Sequence, residues 1–520
     1  MKPIVLVAIL ATGCAFCPGE TAKPSNSTPS APIVTVNSGK LRGALAADGG
    51  AVFKGIPYAQ PPVGELRWRE PVPAKPWTGI REATAFSPQC IQDGPGTSSE
   101  DCLYLNVWTP QWPMKQPAAV MVWIHGGGNF AGTGADPVTD GAFLARHGVV
   151  VVSINYRLGI FGFFEHPELE KESPHHVSGN YGILDQIEAL RWVHRNIASF
   201  GGDPSRVTIF GESAGSLDVN ILMATPLSKG LFQRVIGESG AIAAPPSLAE
   251  GEKTGAAVAA RLNITGPDSL KKLRAASSGD LQKATGPGLA YLGMALGLVV
   301  DGWVFPESPQ KAFAAGREQK VALMLGSNSQ ELQHPFFPMQ GGLRETLGKQ
   351  YGPLADRALA VYSLNGDGEP QPDPQYGTAM AQWATDTQFR CPSVRELIWH
   401  TGAGNTAYEF QFSRSHHRKP AEGASHASEI PFVFGTLPLW QEDRLYTDAD
   451  RTASEQMAEY WTNFAKTGDP NGGDLVQWPK FDPAARSYLD ITDNGMIAKQ
   501  ALRQPACDLY IENQKRQMAK

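Results

Sequence analysis

The chain contains no internal run of 18 or more apolar residues, so no internal stretch has the length and hydrophobicity of a membrane-spanning helix. It has no basic excess: 45 Lys and Arg stand against 51 Asp and Glu, for a net charge of −6. That balance leaves no counterion-releasing surface for a nucleic-acid partner. There is no repeat of fixed period, which excludes solenoids and propellers. Cysteine is sparse, six in 520 residues, and no close Cys/His spacing in the body of the chain fits a zinc site. What is present is an ordinary globular composition, 42% hydrophobic and 18% charged, with 55 Gly and 41 Pro for turns and long loops. The length suits one large α/β unit with insertions.

The N-terminus, "MKPIVLVAILATGCAFC", has one Lys, an apolar run from Ile4 to Leu10 and then small residues, the layout of a short secretory signal over residues 1–17. "ATGC" also resembles a bacterial lipoprotein cleavage site ending before Cys14, with Ala11 where that site usually carries Leu. Two readings stand at this point: a lipid anchor on Cys14, or a cleaved secretion signal and nothing more. Residues 18–32 form a polar, Pro/Ser-rich tether. The expected location is outside the cytoplasm, periplasmic or secreted. In such a compartment Cys90, Cys102, Cys391 and Cys507 are expected to pair, and three pairings are open.

From Ile33 to Val52 the pattern alternates with glycines, as in an antiparallel ribbon. Apolar runs follow at 118–124, 148–157, 206–210 and 321–328, separated by stretches of helical spacing such as 182–200. Strands apolar on both faces and separated by helices predict a mostly parallel sheet covered on both sides. Between about 335 and 460 the apolar period weakens, and a helical, loop-rich insertion is expected over one end of the sheet. One catalytic domain is expected over 33–520.

Two stretches carry Gly-Glu-Ser. In the first, Gly211-Glu212-Ser213-Ala214-Gly215 fits Gly-x-Ser-x-Gly between a β-branched strand and a helix-forming segment, the context of a nucleophile elbow. The Ala214 N–H then lies at a helix N-terminus, where a developing oxyanion is stabilised. Ser239, in "QRVIGESGAIAA", lacks the second glycine and is given a supporting role. Gly126, Gly127 and Gly128 follow the 118–124 strand and let the backbone approach a substrate carbonyl; one such donor contributes about 3 to 4 kcal/mol to the transition state. The base cannot be chosen by count among 11 histidines. His125 adjoins the glycines, His175 and His176 lie in a polar loop, His334 adjoins aromatics, and His416 and His417 sit in a basic loop. His426 occupies a small-residue loop before an aromatic run. Glu331 follows a strand end, where open α/β sheets place active groups.

These residues resemble those of the type-B carboxylesterases, the α/β-hydrolase group that includes cholinesterases and bacterial para-nitrobenzyl esterases. The resemblance runs through "FKGIPYAQPPVGELRWREP", "SEDCLYLNVW", "WIHGGGNFAGTG", "INYRLGIFGFF", the serine motif, "LGSNSQE" and "SHASEIPFVFG". It implies an α/β-hydrolase fold with a helical insertion near an active-site gorge, and hydrolysis of small-molecule carboxylic esters without metal or organic cofactor. It implies a triad of Ser213, Glu331 and His426, oxyanion donors from Gly127, Gly128 and Ala214, and the pairings Cys90–Cys102 and Cys391–Cys507. It also suggests that Ser239 lies near the acid and hydrogen-bonds it. Two departures stand out: "GSNSQEL" around the acid, and Asn129 where many members carry Phe. The rival readings are a specialised esterase for feruloyl, lactone or mycotoxin-type esters, and a non-catalytic cholinesterase-like binding module. Phe130, Trp303, Phe336 and Phe337 either line a gorge or pack the core. Oligomeric state is not legible in the residues.

Overall fold

Eleven strands form the central sheet: β1 (Ala44–Leu45), β2 (Ala51–Pro57), β3 (Tyr104–Thr109), β4 (Ala118–Ile124), β5 (Val150–Ile154), β6 (Gly202–Glu212), β7 (Arg234–Glu238), β8 (Ala322–Asn328), β9 (Ala407–Phe412), β10 (Tyr488–Thr492) and β11 (Gly495–Lys499). The computed structural model describes residues 1, 31–285, 296–336, 339, 341–415, 423–439 and 446–518. From Pro32 onward the contacts gather into one compact unit. Residues 2–30, which hold the expected signal, Cys14 and most of the tether, lie outside the described residues.

The spatial order is β11-β10-β9-β8-β7-β6-β4-β5-β3-β2-β1. The run from β10 to β5 is parallel throughout, and the pairs at both edges are antiparallel. Burial on both faces explains why β4 reads as a continuous apolar run: all seven of its residues are buried. Val120, Val122 and Ile124 face one core, shared with Ile183, Ile187 and Leu190 of helix α1 (Tyr181–Asn196). Ala119, Met121 and Trp123 face the other. Each such aliphatic side chain, fully buried, contributes about 1.5 to 3 kcal/mol.

Helix α2 (Ala214–Leu222) follows β6 after the single residue Ser213. Three more helices matter below: α3 (Cys391–Gly402), α4 (Asp448–Thr467) and α5 (Gln504–Met518). Met457, Trp461 and Phe464 of α4 fill the second core. Cys391–Cys507 joins α3 to α5 across 116 residues, and Cys90–Cys102 closes a loop of separation 12. Among the described residues no helix is long and apolar enough to cross a membrane.

The expected insertion at 335–460 needs correction. Helices occupy Leu343–Val361 and Ala379–Gly402, but β9 lies inside the same span and pairs on both sides, with β8 and β10. The start of α4, within the same span, covers the sheet's second core. The excursion from the sheet is therefore the helical stretch before β9. The weak period around β9 arises because its polar residues Glu409 and Gln411 are themselves buried.

Candidate active site

The site is built at the carboxyl ends of adjacent parallel strands. The crossover from β6 to α2 is so tight that Ser213 adopts φ 56°, ψ −119°, a conformation costly for any residue with a side chain. The two glycines of the motif permit it. A Cβ on Gly215 would stand 2.1 Å from the Ile124 carbonyl oxygen, and one on Gly211 would stand 2.6 Å from Gly215 backbone atoms. Helix, elbow and β4 thus touch backbone to backbone.

His426 Nε2 lies 2.9 Å from Ser213 Oγ, and His426 Nδ1 lies 2.7 Å from Glu331 Oε2. Glu331 sits three residues past the end of β8, its side chain fully buried; its other oxygen accepts from the Asn328 backbone N–H at 2.6 Å. The His426 N–H donates to the Glu331 carbonyl at 3.0 Å, so the acid and the base-bearing loop hold one another. The imidazole keeps 23% of its side chain exposed, an open edge above a buried acid. The Gly127 and Gly128 N–H groups sit in a turn with φ of 96° and 65°. Among the described hydrogen bonds, neither these two nor the Ala214 N–H at the head of α2 donates to another group. The structure therefore brings Ser213, His426 and Glu331 into one hydrogen-bonded row and leaves the three expected donors without an acceptor among the described hydrogen bonds.

Other candidates stand elsewhere. His125 is buried and stacks on Tyr156, and burial pulls its imidazole down to about 4. His175 stacks on Trp303 at 3.8 Å. His334 is exposed, and His416, His417 and Phe337 lie outside the described residues. Phe336 is 40% exposed with its ring 6.1 Å from that of His426, and Phe130 is 48% exposed beside the glycine turn.

Ser239 is the structural twin of Ser213. Glu212 and Glu238 are in register on β6 and β7, so both serines cap neighbouring strands, and both have positive φ. Only Ser213 reaches the imidazole. The Ser239 hydroxyl is fully buried and donates at 3.3 Å to Glu429 Oε1, not to Glu331. The other Glu429 oxygen accepts from Asn328 Nδ2.

Sequence reasoning missed this second layer. Glu212 Oε1 lies 3.2 Å from His426 Nε2. Burial pushes the Glu212 carboxyl up to about 8, with Glu429 and Glu331 adding to the push and His426 opposing it. Burial likewise raises Glu429 to about 7. Burial pulls the His426 imidazole down, but Glu212 first, and then its hydrogen bond to Glu331, outweigh that and hold it above the ordinary histidine range. The two shifts are linked, because a proton on Glu212 removes the charge that raises His426. The available signal was position: Glu212 directly precedes the serine, and Glu429 lies three residues beyond His426. Phe389, packed 4.8 Å from the His426 ring, carried no such signal.

The carboxylesterase family model matches residues 30–510. The chain belongs to the carboxylesterase family. It is 37% identical over 458 residues to a fumonisin B1 esterase of Sphingopyxis macrogoltabida, covering 83% of this chain and 81% of that one. It is 36% identical over 485 residues to the para-nitrobenzyl esterase of Bacillus subtilis (strain 168), covering 88% and 94%. A solved para-nitrobenzyl esterase superposes with a TM-score of 0.80 at 34% identity, covering 92% of this chain and all of that one. The fold is that of the α/β-hydrolases, and as a member of this carboxylesterase family the protein is a serine carboxylic-ester hydrolase acting on small-molecule esters.

Proposed function

We propose that Ser213 is the nucleophile, His426 the general acid–base and Glu331 the group that orients and stabilises the imidazolium. The observation that carries this reading is the unbroken row Ser213 Oγ–His426–Glu331, with spacings of 2.9 and 2.7 Å. His426 Nε2 takes the Ser213 proton as Oγ bonds to the ester carbonyl carbon. The carbonyl oxygen gains the negative charge and meets the N–H groups of Gly127, Gly128 and Ala214. His426 returns the proton to the leaving alcohol as the C–O bond breaks. Water then repeats the cycle on the acyl-enzyme, with His426 as base. Ser239 supports the site through Glu429.

Ser213→Ala is expected to abolish para-nitrophenyl ester turnover, and Ser239→Ala to lower kcat only several-fold. Equal, complete loss from both would reverse the assignment of the two serines.

A narrower reading, a mycotoxin-type ester substrate, is supported by the likeness to the fumonisin B1 esterase. It predicts release of acid from fumonisin B1 with kcat/KM above that for simple para-nitrophenyl esters, and the reverse order rejects it. We also infer export, which the two disulfides support. Mass spectrometry of the mature N-terminus separates lipidation at Cys14 from plain cleavage.

A further inference from the structure

The donors proposed for the oxyanion are mounted on two separate elements. Gly127 and Gly128 belong to the loop after β4, whereas Ala214 opens α2. That loop runs through three successive left-handed residues, with φ of 96°, 65° and 62° at Gly127, Gly128 and Asn129, so no regular ladder braces it. Asn129 is buried, and both ends of its amide are engaged. Its oxygen accepts from the Tyr156 hydroxyl at 2.9 Å, and its nitrogen donates at 3.1 Å to Asp218 Oδ1. Asp218 is fully buried on α2, four residues after Ala214 and therefore on the same helical face. Its other oxygen accepts from Gln186 Nε2 of α1 at 2.6 Å, and Gln186 Oε1 is buried without a hydrogen-bond partner among the described residues. A charge-bearing side chain so deep in the core is costly unless its hydrogen bonds are made.

We propose that Asn129 and Asp218 form a clasp that fixes the oxyanion loop against α2, holding the Gly127 and Gly128 N–H groups at the correct distance from that of Ala214. The proposal rests on the reading of Ser213 as nucleophile. Both residues are positioning residues: among the described hydrogen bonds neither side chain bonds the serine hydroxyl, and each acts through the backbone it anchors. Removing one oxyanion donor costs about 10²- to 10³-fold in kcat, and a donor left loose should cost less. The loss belongs in kcat, because the oxyanion exists only beyond the ground state.

The test counts active sites by organophosphate labelling and reports kcat per labelled site. Asn129→Ala and Asp218→Ala should each lower kcat about 10- to 100-fold with KM within about threefold. Affinity for a trifluoromethyl ketone should fall in proportion. The double variant should be no worse than the poorer single one, since either change opens the same clasp. Asp218→Asn should keep kcat within about threefold: the new oxygen accepts from Asn129, and the new N–H donates to a turned Gln186 Oε1. Wild-type kcat per labelled site in Asn129→Ala, additive losses, or an Asp218→Asn as impaired as Asp218→Ala would overturn the clasp. Should Asp218→Ala not fold, Asn129→Ala and Asp218→Asn decide alone. A wild-type protein that fails to label at Ser213 would instead overturn the nucleophile assignment.

Discussion

Around a single imidazole the chain buries Glu331 and two further carboxyl groups, Glu212 and Glu429, and no Lys or Arg forms an ion pair with any of the three among the described contacts. Glu331 is fixed by the Asn328 N–H, and Glu429 by Asn328 Nδ2 and Ser239. Among the described residues Glu212 Oε1 has no hydrogen-bond partner besides its approach to His426, so its charge acts on the base directly. The sign follows. A negative Glu212 favours the imidazolium, so the base is freed only as pH rises past a raised value. Glu212→Gln removes that influence and should shift the acid limb of the kcat/KM profile to lower pH by roughly one to two units. An unmoved limb would mean that Glu212 is already protonated in the free enzyme.

At the scale of elements, the strands were legible because burial on both faces leaves an unmistakable apolar run, as in 118–124 and 206–210. The elbow was legible because strand, small residues and helix occur in order. The partners of the serine were less so. His426 and Glu331 lie 213 and 95 residues along the chain from the atoms they meet, and no local pattern encodes that meeting; the family resemblance supplied it. Strand β9 was hidden because it carries Glu409 and Gln411 into the interior, which breaks the apolar run by which strands are found. Ser239 was expected to hydrogen-bond the acid Glu331, but its hydroxyl donates to Glu429 instead, because which carboxylate it meets depends on how the His426 loop folds. Asn129 and Asp218 show the same limit: each is a commonplace residue until the turn at 126–129 is laid against α2.

The whole molecule stores protons. Burial pushes Glu165, Glu396 and Glu409 each up to about 8, and both oxygens of Glu165 lack a hydrogen-bond partner among the described residues. The folded chain holds these protons at pH values where the unfolded chain, titrating near 4.5, has released them. Their contribution is full below the ordinary carboxylate value and is lost as pH rises through about 8. His125, pulled down to about 4, works in the opposite sense, but only below the ordinary histidine range. The thermal midpoint should therefore fall between roughly pH 6.5 and 8.5, measured by calorimetry at constant ionic strength. A midpoint that rises over that interval would contradict the protonated core. Catalysis turns on one hydroxyl, and the most direct measurement is intact-mass and peptide mass spectrometry after reaction with an organophosphate. One adduct per chain is expected, on the peptide bearing Ser213, formed in step with loss of esterase activity and absent from Ser213→Ala. Full inactivation with the label on Ser239 or another residue, or full labelling of Ser213 with activity intact, would contradict it.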